Sequence, residues 1–303
     1  MGEAAAPSGG PGGDGEVSPL PLDKTLRRWE AALRSAGSDE AQTEARLLAA
    51  HFTGLPLGDV PLSLDRPLDD DVLAAADAIL ADRARHVPLP YLLGDAWFLG
   101  LRFRVDPRVL IPRPETELLA EAAIAWLRTN PKAAVADIGT GSGCLALSIA
   151  HFRPACRVYA TDLSDDALAL ARENAADLGV ADRVTLLQGD LLGPLRAEGI
   201  ADSLEAVISN PPYVTEAEYA DAQPELLHEP RGALVAGPTG FEVMDRLVAE
   251  LATLPNLRFV GLEIGATQGP SALLLARENL PDWRFEVRGD YAGHDRLLIG
   301  TRP

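Results

Sequence analysis

The sequence reads as an α/β chain with an open, mostly parallel, doubly wound sheet, preceded by a small all-helical domain. From about residue 130 onward, short apolar runs alternate with helical stretches, the pattern of such sheets. A glycine-rich turn, Gly139-Thr140-Gly141-Ser142-Gly143, directly follows the first run, where backbone can approach a ligand closely. Before residue 87 the apolar residues recur at helical spacing instead.

Taken in order, residues 1–20 are Gly-, Pro- and Ala-rich without any apolar period, so a disordered tail is expected. Leu22, Leu26, Trp29 and Leu33 then mark a first helix. Ser38-Asp39 is expected to cap a second, through Ala45, Leu48 and Phe52, closed by Gly54. A third is expected over 68–86. Asp69, Asp70 and Asp71 stand at its start and Arg83, Arg85 and His86 at its end, which suits the helix dipole. These charges read as solvated faces. Residues 21–87 thus make the helical domain and 88–110, built around Gly94 and Gly100, a β-hairpin linker. Residues 111–303 form the larger domain. Leu110-Ile111-Pro112-Arg113-Pro114-Glu115-Thr116-Glu117 leads into a helix over 118–127, proline-started and acid-capped. Arg113 is held between two prolines.

Strands are expected over 135–138, 157–161 (ending in Asp162), 183–188 (ending in Gly189-Asp190) and 206–209, with a helix from 144 after the first. A stretch over 214–240, with Glu229-Pro230-Arg231 and three glycines, reads as a long irregular loop, the usual mark of a functional loop or lid. A helix from 241, a strand through 262–265, a helix from 269, and strands near 285 and over 296–300 complete the sheet. The last two are close in sequence and are expected to pair antiparallel at one edge.

Composition narrows the class. Net charge is −18, with 47% hydrophobic and 24% charged residues, the profile of a soluble globular protein. The 27 basic residues are scattered, whereas a protein built for duplex DNA or structured RNA carries a basic face. No direct nucleic-acid partner is expected. Cys144 and Cys156 form no C-x-x-C pair and the five histidines never reach ligand spacing, so no metal is expected. No apolar run approaches the ~20 residues of a membrane span and no signal peptide opens the chain. A cytoplasmic protein without a membrane partner is inferred.

The chemistry is carried by strand ends. Asn210-Pro211-Pro212-Tyr213 follows the apolar run at 206–209, and two prolines cannot continue a ladder. The carbonyls of Asn210 and Pro211 are left without sheet partners beside an amide and an aromatic ring. That corner can hold a flat –NH2 group, its hydrogens on two acceptors and its nitrogen facing outward. The glycine turn lacks the spacing of dinucleotide and phosphate loops. Asp162, about 20 residues on, can accept ribose hydroxyls, and Asp190 suits an adenine amino group. Acids in place of a basic cradle favour S-adenosylmethionine, which has no phosphates.

On these residues the chain resembles the PrmC/HemK family, which methylates a glutamine side-chain amide in peptide chain release factors. Four segments carry the resemblance: residues 111–117, residues 137–143, Ser209 to Tyr213, and Glu263-Ile264-Gly265 with Gln268-Gly269. It implies a class I methyltransferase with a Rossmann-like, seven-stranded, mostly parallel sheet. It implies that Gly139, Thr140, Gly141, Ser142, Gly143 and Asp162 bind S-adenosylmethionine, with Asp190, Leu191 and Asn210 beside it. Asn210, Pro211, Pro212 and Tyr213 would grip the glutamine of a Gly-Gly-Gln loop, with Arg113 and Glu115 nearby. The helical domain would contact the release factor.

The expected chemistry places the Asn210 side-chain oxygen and the Pro211 carbonyl on the two amide hydrogens, with Tyr213 packed on the amide plane. Rival readings are a nucleic-acid adenine amino methyltransferase, which uses the same corner on a flipped base, a dinucleotide-dependent oxidoreductase, and a non-catalytic adaptor that docks on release factors.

Overall fold

The computed structural model describes residues 20–302; except for Leu20, the tail expected over 1–20 lies outside the described residues. The chain divides into two compact units between Arg85 and His86.

In the first unit, helix α1 (Leu22–Ser35) buries Leu22, Thr25, Trp29 and Leu33, one apolar stripe at intervals of three and four. Helix α2 (Ala41–Thr53) starts later than expected. Ser38 Oγ accepts from the Glu40 N–H at 3.2 Å, which fixes the turn before the helix and does not cap it. Gly54 ends α2 in the left-handed region at φ 67°, as expected. Helix α3 (Asp70–Arg83) is shorter at both ends than its charges suggested. Leu68 is taken by a short antiparallel pairing with Leu20. Arg83 is not a solvated charge: it is 5% exposed, and its Nε donates to both Glu44 carboxylate oxygens at 3.1 and 3.3 Å.

The second unit opens with a five-residue helix (Leu89–Leu93) and a hairpin of strands Asp95–Phe98 and Leu101–Arg104. Its tight turn puts Leu99 at φ 50° and Gly100 at φ 75°, the conformation that matches strand twist in two-residue hairpins. Phe98 and Phe103 are fully buried edge-to-face, 6.2 Å apart. The hairpin therefore contributes core as well as connection. Helix α4 (Pro114–Trp126) begins four residues before the expected start, because Pro114 has the φ of a first helical residue and no N–H to satisfy.

The sheet has seven strands: β1 (Ala134–Ile138), β2 (Arg157–Asp162), β3 (Val184–Gln188), β4 (Ala206–Ser209), β5 (Phe259–Glu263), β6 (Arg284–Gly289) and β7 (Asp295–Thr301). Their order is β6-β7-β5-β4-β1-β2-β3, with β7 antiparallel to both neighbours and the rest parallel. Strand β5 starts three residues earlier than predicted and ends two earlier, so Ile264 and Gly265 fall beyond its end.

Alternate residues of each inner strand feed two cores. Val135, Ile208 and Phe259 pack with Leu119 of α4 and Leu147 of α5 (Cys144–Phe152) on one face. Helix α6 is Asp165–Asp177, α7 Glu242–Leu251 and α8 Gly269–Asn279. Ala136, Val207 and Leu262 pack on the other face with Met244 and Leu247 of α7 and Ala272 of α8. Each fully buried Leu or Phe contributes roughly 1.5–3 kcal/mol over its exposed form, so these two layers hold the strand ends in place.

The stretch at 214–240 is not the irregular loop expected. Val214–Thr215 pairs in parallel with Val235–Gly237, and three short helical pieces lie between: Glu216–Ala220, Pro224–His228 and Arg231–Leu234. Thr215 and Glu218 form a reciprocal capping box at the first. Such boxes satisfy two otherwise orphaned N–H groups.

Candidate active site

Strand register assembles the site. Ile138 of β1 and Leu262 of β5 both pair with Ser209 of β4. The next residue of each strand, Gly139, Glu263 and Asn210, therefore stands at one edge, side by side. This is where the strand order reverses between β1 and β4, the usual ligand crevice of open α/β sheets. The Ser209 hydroxyl donates to the Ile138 carbonyl at 2.6 Å and ties the two strand ends together.

In the glycine turn, the N–H groups of Gly139 and Thr140 both donate to the Thr161 carbonyl, at 2.9 and 3.0 Å. Gly139, Gly141 and Gly143 have φ of 74°, 55° and 84°, a region costly for residues with a Cβ. A Cβ at Gly139 or Gly141 would meet no atom within 4 Å; these positions border open space. Asp162 Oδ2 accepts from the Gly141 N–H at 2.8 Å and its Oδ1 from the Ser164 N–H at 2.9 Å. It thus shapes the turn while keeping lone pairs free. Burial raises its carboxyl above the ordinary value, against these backbone donors.

Asp137, one residue before the end of β1, shows in the sequence only as part of a buried strand. It is fully buried. Its Oδ2 accepts from Thr140 Oγ1 at 2.6 Å and from the Ala146 N–H at 3.2 Å. Its Oδ1 has no partner among the described residues, and burial pushes the carboxyl up to about 7. Ser142 is buried and its carbonyl accepts from Asn174 Nδ2 at 2.9 Å.

After β3, Asp190 pairs with Arg246 of α7, about half exposed, so one of its oxygens is already engaged. Leu191 is buried at φ 45°, an uncommon conformation for a residue with a Cβ. Its carbonyl is held by the Thr161 hydroxyl at 3.0 Å.

At the Asn-Pro-Pro-Tyr corner, no described N–H or O–H donates to the carbonyl of Asn210 or Pro211. Asn210 Nδ2 donates to Thr116 Oγ1 at 3.1 Å. The Thr116 hydroxyl donates in turn to Glu263 Oε2 at 2.6 Å. The Tyr213 hydroxyl reaches Glu263 Oε1 at 3.4 Å. Thr116 and Glu263 are 2% and 1% exposed. Burial pushes the Glu263 carboxyl up to about 7, against the Thr116 hydrogen bond and Arg296. Burial, then Glu263, pushes the Tyr213 hydroxyl up to about 12.

Gln268 secures the corner from behind. Its Nε2 donates to the carbonyls of Tyr213 and Gly240 at 3.3 and 3.1 Å, and its Oε1 accepts from the Gly265 N–H at 2.9 Å.

Arg113 lies near enough for its charge to act on Tyr213. It pairs with Glu229, whose other oxygen accepts from the Ile111 N–H at 3.0 Å. Glu115 is half-buried, and its charge acts on Glu263. The structure thus brings together Asn210, Pro211 and Tyr213 with two residues not proposed as site residues, Thr116 and Glu263. Their sequence signal lies within residues 111–117 and 263–265, as a threonine in an acid-rich helix start and an acid at the end of an apolar strand.

Comparison with known proteins agrees with this architecture. Residues 24–94 match the PrmC N-terminal domain family and residues 115–250 the methyltransferase small domain family. A release factor glutamine methyltransferase of Moorella thermoacetica is 40% identical over 284 residues, 93% of this chain and 97% of that protein. One from Cereibacter sphaeroides is 41% identical over 283 residues, covering 92% and 97%, and one from Deinococcus radiodurans 38% over 285, covering 93% and 99%. Among solved structures, the hMettl16 catalytic domain in complex with MAT2A 3'UTR hairpin 6 shares the fold, with a TM-score of 0.53 at 18% identity over 74% of this chain and 81% of that one.

Proposed function

This chain belongs to the release factor glutamine methyltransferase family, and from that premise we propose that it methylates the side-chain amide nitrogen of the glutamine in a release factor's Gly-Gly-Gln loop. The observation that carries the reading is the hydrogen-bonding of Asn210. Its –NH2 is committed to Thr116, so its Oδ1 remains an acceptor beside the free carbonyl of Pro211. Two acceptors at a proline-fixed corner match the two hydrogens of a primary amide.

The residues around the glycine turn fit S-adenosylmethionine, the cofactor of this methyltransferase class. Gly139 and Gly141 border open space, and Asp137 Oδ1 is a buried acceptor without a partner among the described residues. Gly139 to Gly143 would hold the cofactor with Asp162, Asp190, Leu191 and Asn210. When bound, S-adenosylmethionine supplies a methyl group on a positively charged sulfur, which becomes a neutral thioether as the amide nitrogen gains the methyl and releases a proton to water.

An amide nitrogen is a poor nucleophile because its lone pair is delocalised into the carbonyl. Asn210 Oδ1 and the Pro211 carbonyl, accepting both N–H groups, draw the nitrogen toward sp³ character and stabilise positive charge that develops there. Pro211 and Pro212 fix the acceptors' direction before the substrate arrives, so little reorganisation remains to be made. Tyr213 packs against the amide plane, its hydroxyl turned to Glu263. The helical domain over 21–87 engages the body of the release factor, and the chain works in the cytoplasm.

The experiment is methyl transfer from labelled S-adenosylmethionine to a release factor, with the methylated residue located by mass spectrometry. Methyl on the Gly-Gly-Gln glutamine is the expected result. Transfer to adenine in DNA or RNA instead, or release-factor binding without cofactor binding, would overturn the reading.

A further inference from the structure

We propose that Thr116 and Glu263 are positioning residues for the methylation: a carboxylate–hydroxyl–amide chain that dictates which end of the Asn210 side chain faces the substrate. The proposal rests on the reading of Asn210 as the acceptor of the glutamine amide.

Glu263, as carboxylate, can only accept. Thr116 has one hydroxyl hydrogen and spends it on Glu263 Oε2 at 2.6 Å. Its oxygen can then only accept from Asn210, so the amide must turn its –NH2 inward to Thr116, at 3.1 Å. Asn210 Oδ1 is thereby left outward. An isolated asparagine would present oxygen or nitrogen to the pocket with little preference, and only the oxygen can receive an amide hydrogen.

The arrangement is a built one. Thr116 and Glu263 lie 147 positions apart and both are almost wholly buried. The groups come from three elements: Thr116 from the first turn of α4, Glu263 from the last position of β5, and Asn210 from just beyond β4. A carboxylate with such burial is costly unless paired and hydrogen-bonded, which makes a packing role alone a poor reason for an acid here.

The chain has a second polarity. A protonated Glu263 can donate to Thr116 Oγ1, freeing the threonine hydrogen to face Asn210 and turning Asn210 Oδ1 inward. The groups around Glu263 are Tyr213 from the corner, Arg296 from β7, Thr116 and Glu115 from α4 and Cys144 at the start of α5. Arg296 favours the carboxylate; Glu115 opposes it. Burial raises the carboxyl to about 7, so the inward state is reached on mild acidification.

The test compares full-length wild type with Thr116→Val, Thr116→Ser and Glu263→Gln in release-factor methylation between about pH 6 and 9, with cofactor affinity by calorimetry and melting curves alongside. The wild-type kcat is expected to rise with pH through a single ionisation. Thr116→Val should lower kcat by about 10- to 100-fold, with KM and cofactor affinity changed by about twofold or less. Thr116→Ser should restore most of the rate, and Glu263→Gln should lose the acidic limb of the profile. A Thr116→Val enzyme as fast as wild type, or a Glu263→Gln enzyme with the same acidic limb, overturns the proposal while leaving the methyltransferase reading intact. Should Thr116→Val fail to fold, the Glu263→Gln profile alone decides. Absence of transfer by the wild type overturns both.

Discussion

The Arg113 guanidinium and the Glu229 carboxylate form an ion pair whose acid is 2% exposed and whose base is one-third exposed. Glu229 also holds the Ile111 N–H. One buried carboxylate therefore binds the proline-flanked segment before α4 to the folded stretch at 214–240. Arg113, whose charge also acts on Tyr213, thereby helps to fix the segment from which Thr116 projects.

Removing one partner of such a pair is worse than removing both, because a buried charge is left uncompensated. Arg113→Ala should destabilise the protein by about 3 kcal/mol or more, and Arg113→Met combined with Glu229→Gln should recover much of that loss. Denaturant unfolding of the single and double variants checks this; a single variant as stable as wild type would contradict it.

Asp162 shapes the glycine turn through the Gly141 N–H and keeps free lone pairs toward the crevice. Asp162→Ala should weaken S-adenosylmethionine binding by about 10-fold or more, since a charge-assisted hydrogen bond contributes about 1.5–3 kcal/mol. Calorimetric titration measures it, and unchanged affinity would count against the role.

Gly141 combines a φ of 55° with open space at its Cβ direction. Gly141→Ala should cost about 1–2 kcal/mol of stability from the left-handed backbone alone and should reduce cofactor affinity further, as the methyl enters the crevice. Equal cofactor affinity in the variant and wild type would mean that the cofactor does not approach this backbone.

Glu263 also sets a pH dependence of stability. Its carboxyl is raised from the ordinary range to about 7, so between those values the folded state holds a proton that the unfolded chain has released. Stability therefore falls as pH rises through this window, and the full penalty is present above it. On this account Glu263→Gln should gain stability relative to wild type at pH 8, on the order of 3 kcal/mol, and little at pH 4. Melting temperatures of both proteins across that range give the answer; a difference independent of pH would contradict it.

Much of the fold was legible because its signals are local. The run from Ala206 to Ser209 is short, mostly apolar and followed at once by Asn210 and two prolines, and the strand ends where those prolines require. Glycines after β1 and Asp162 at the end of β2 reveal their places for the same reason. The order within 214–240 is not legible in the sequence because its helices are four or five residues long, too short to show a period; only Thr215 and Glu218 carry a capping signal. Arg83 looked solvated because its partner, Glu44, is distant in sequence. Sequence alone gives Thr116 and Glu263 no role, since only the pairing of β5 with β4 brings Glu263 beside Asn210.

The most direct test is single-turnover methylation of a release factor by Asn210→Ala, with S-adenosylmethionine affinity measured on the same preparation. A loss on the order of 10²-fold in the rate of methyl transfer at saturating cofactor, larger than any accompanying change in cofactor affinity, is the predicted result. Transfer at close to the wild-type rate would contradict the account at its centre.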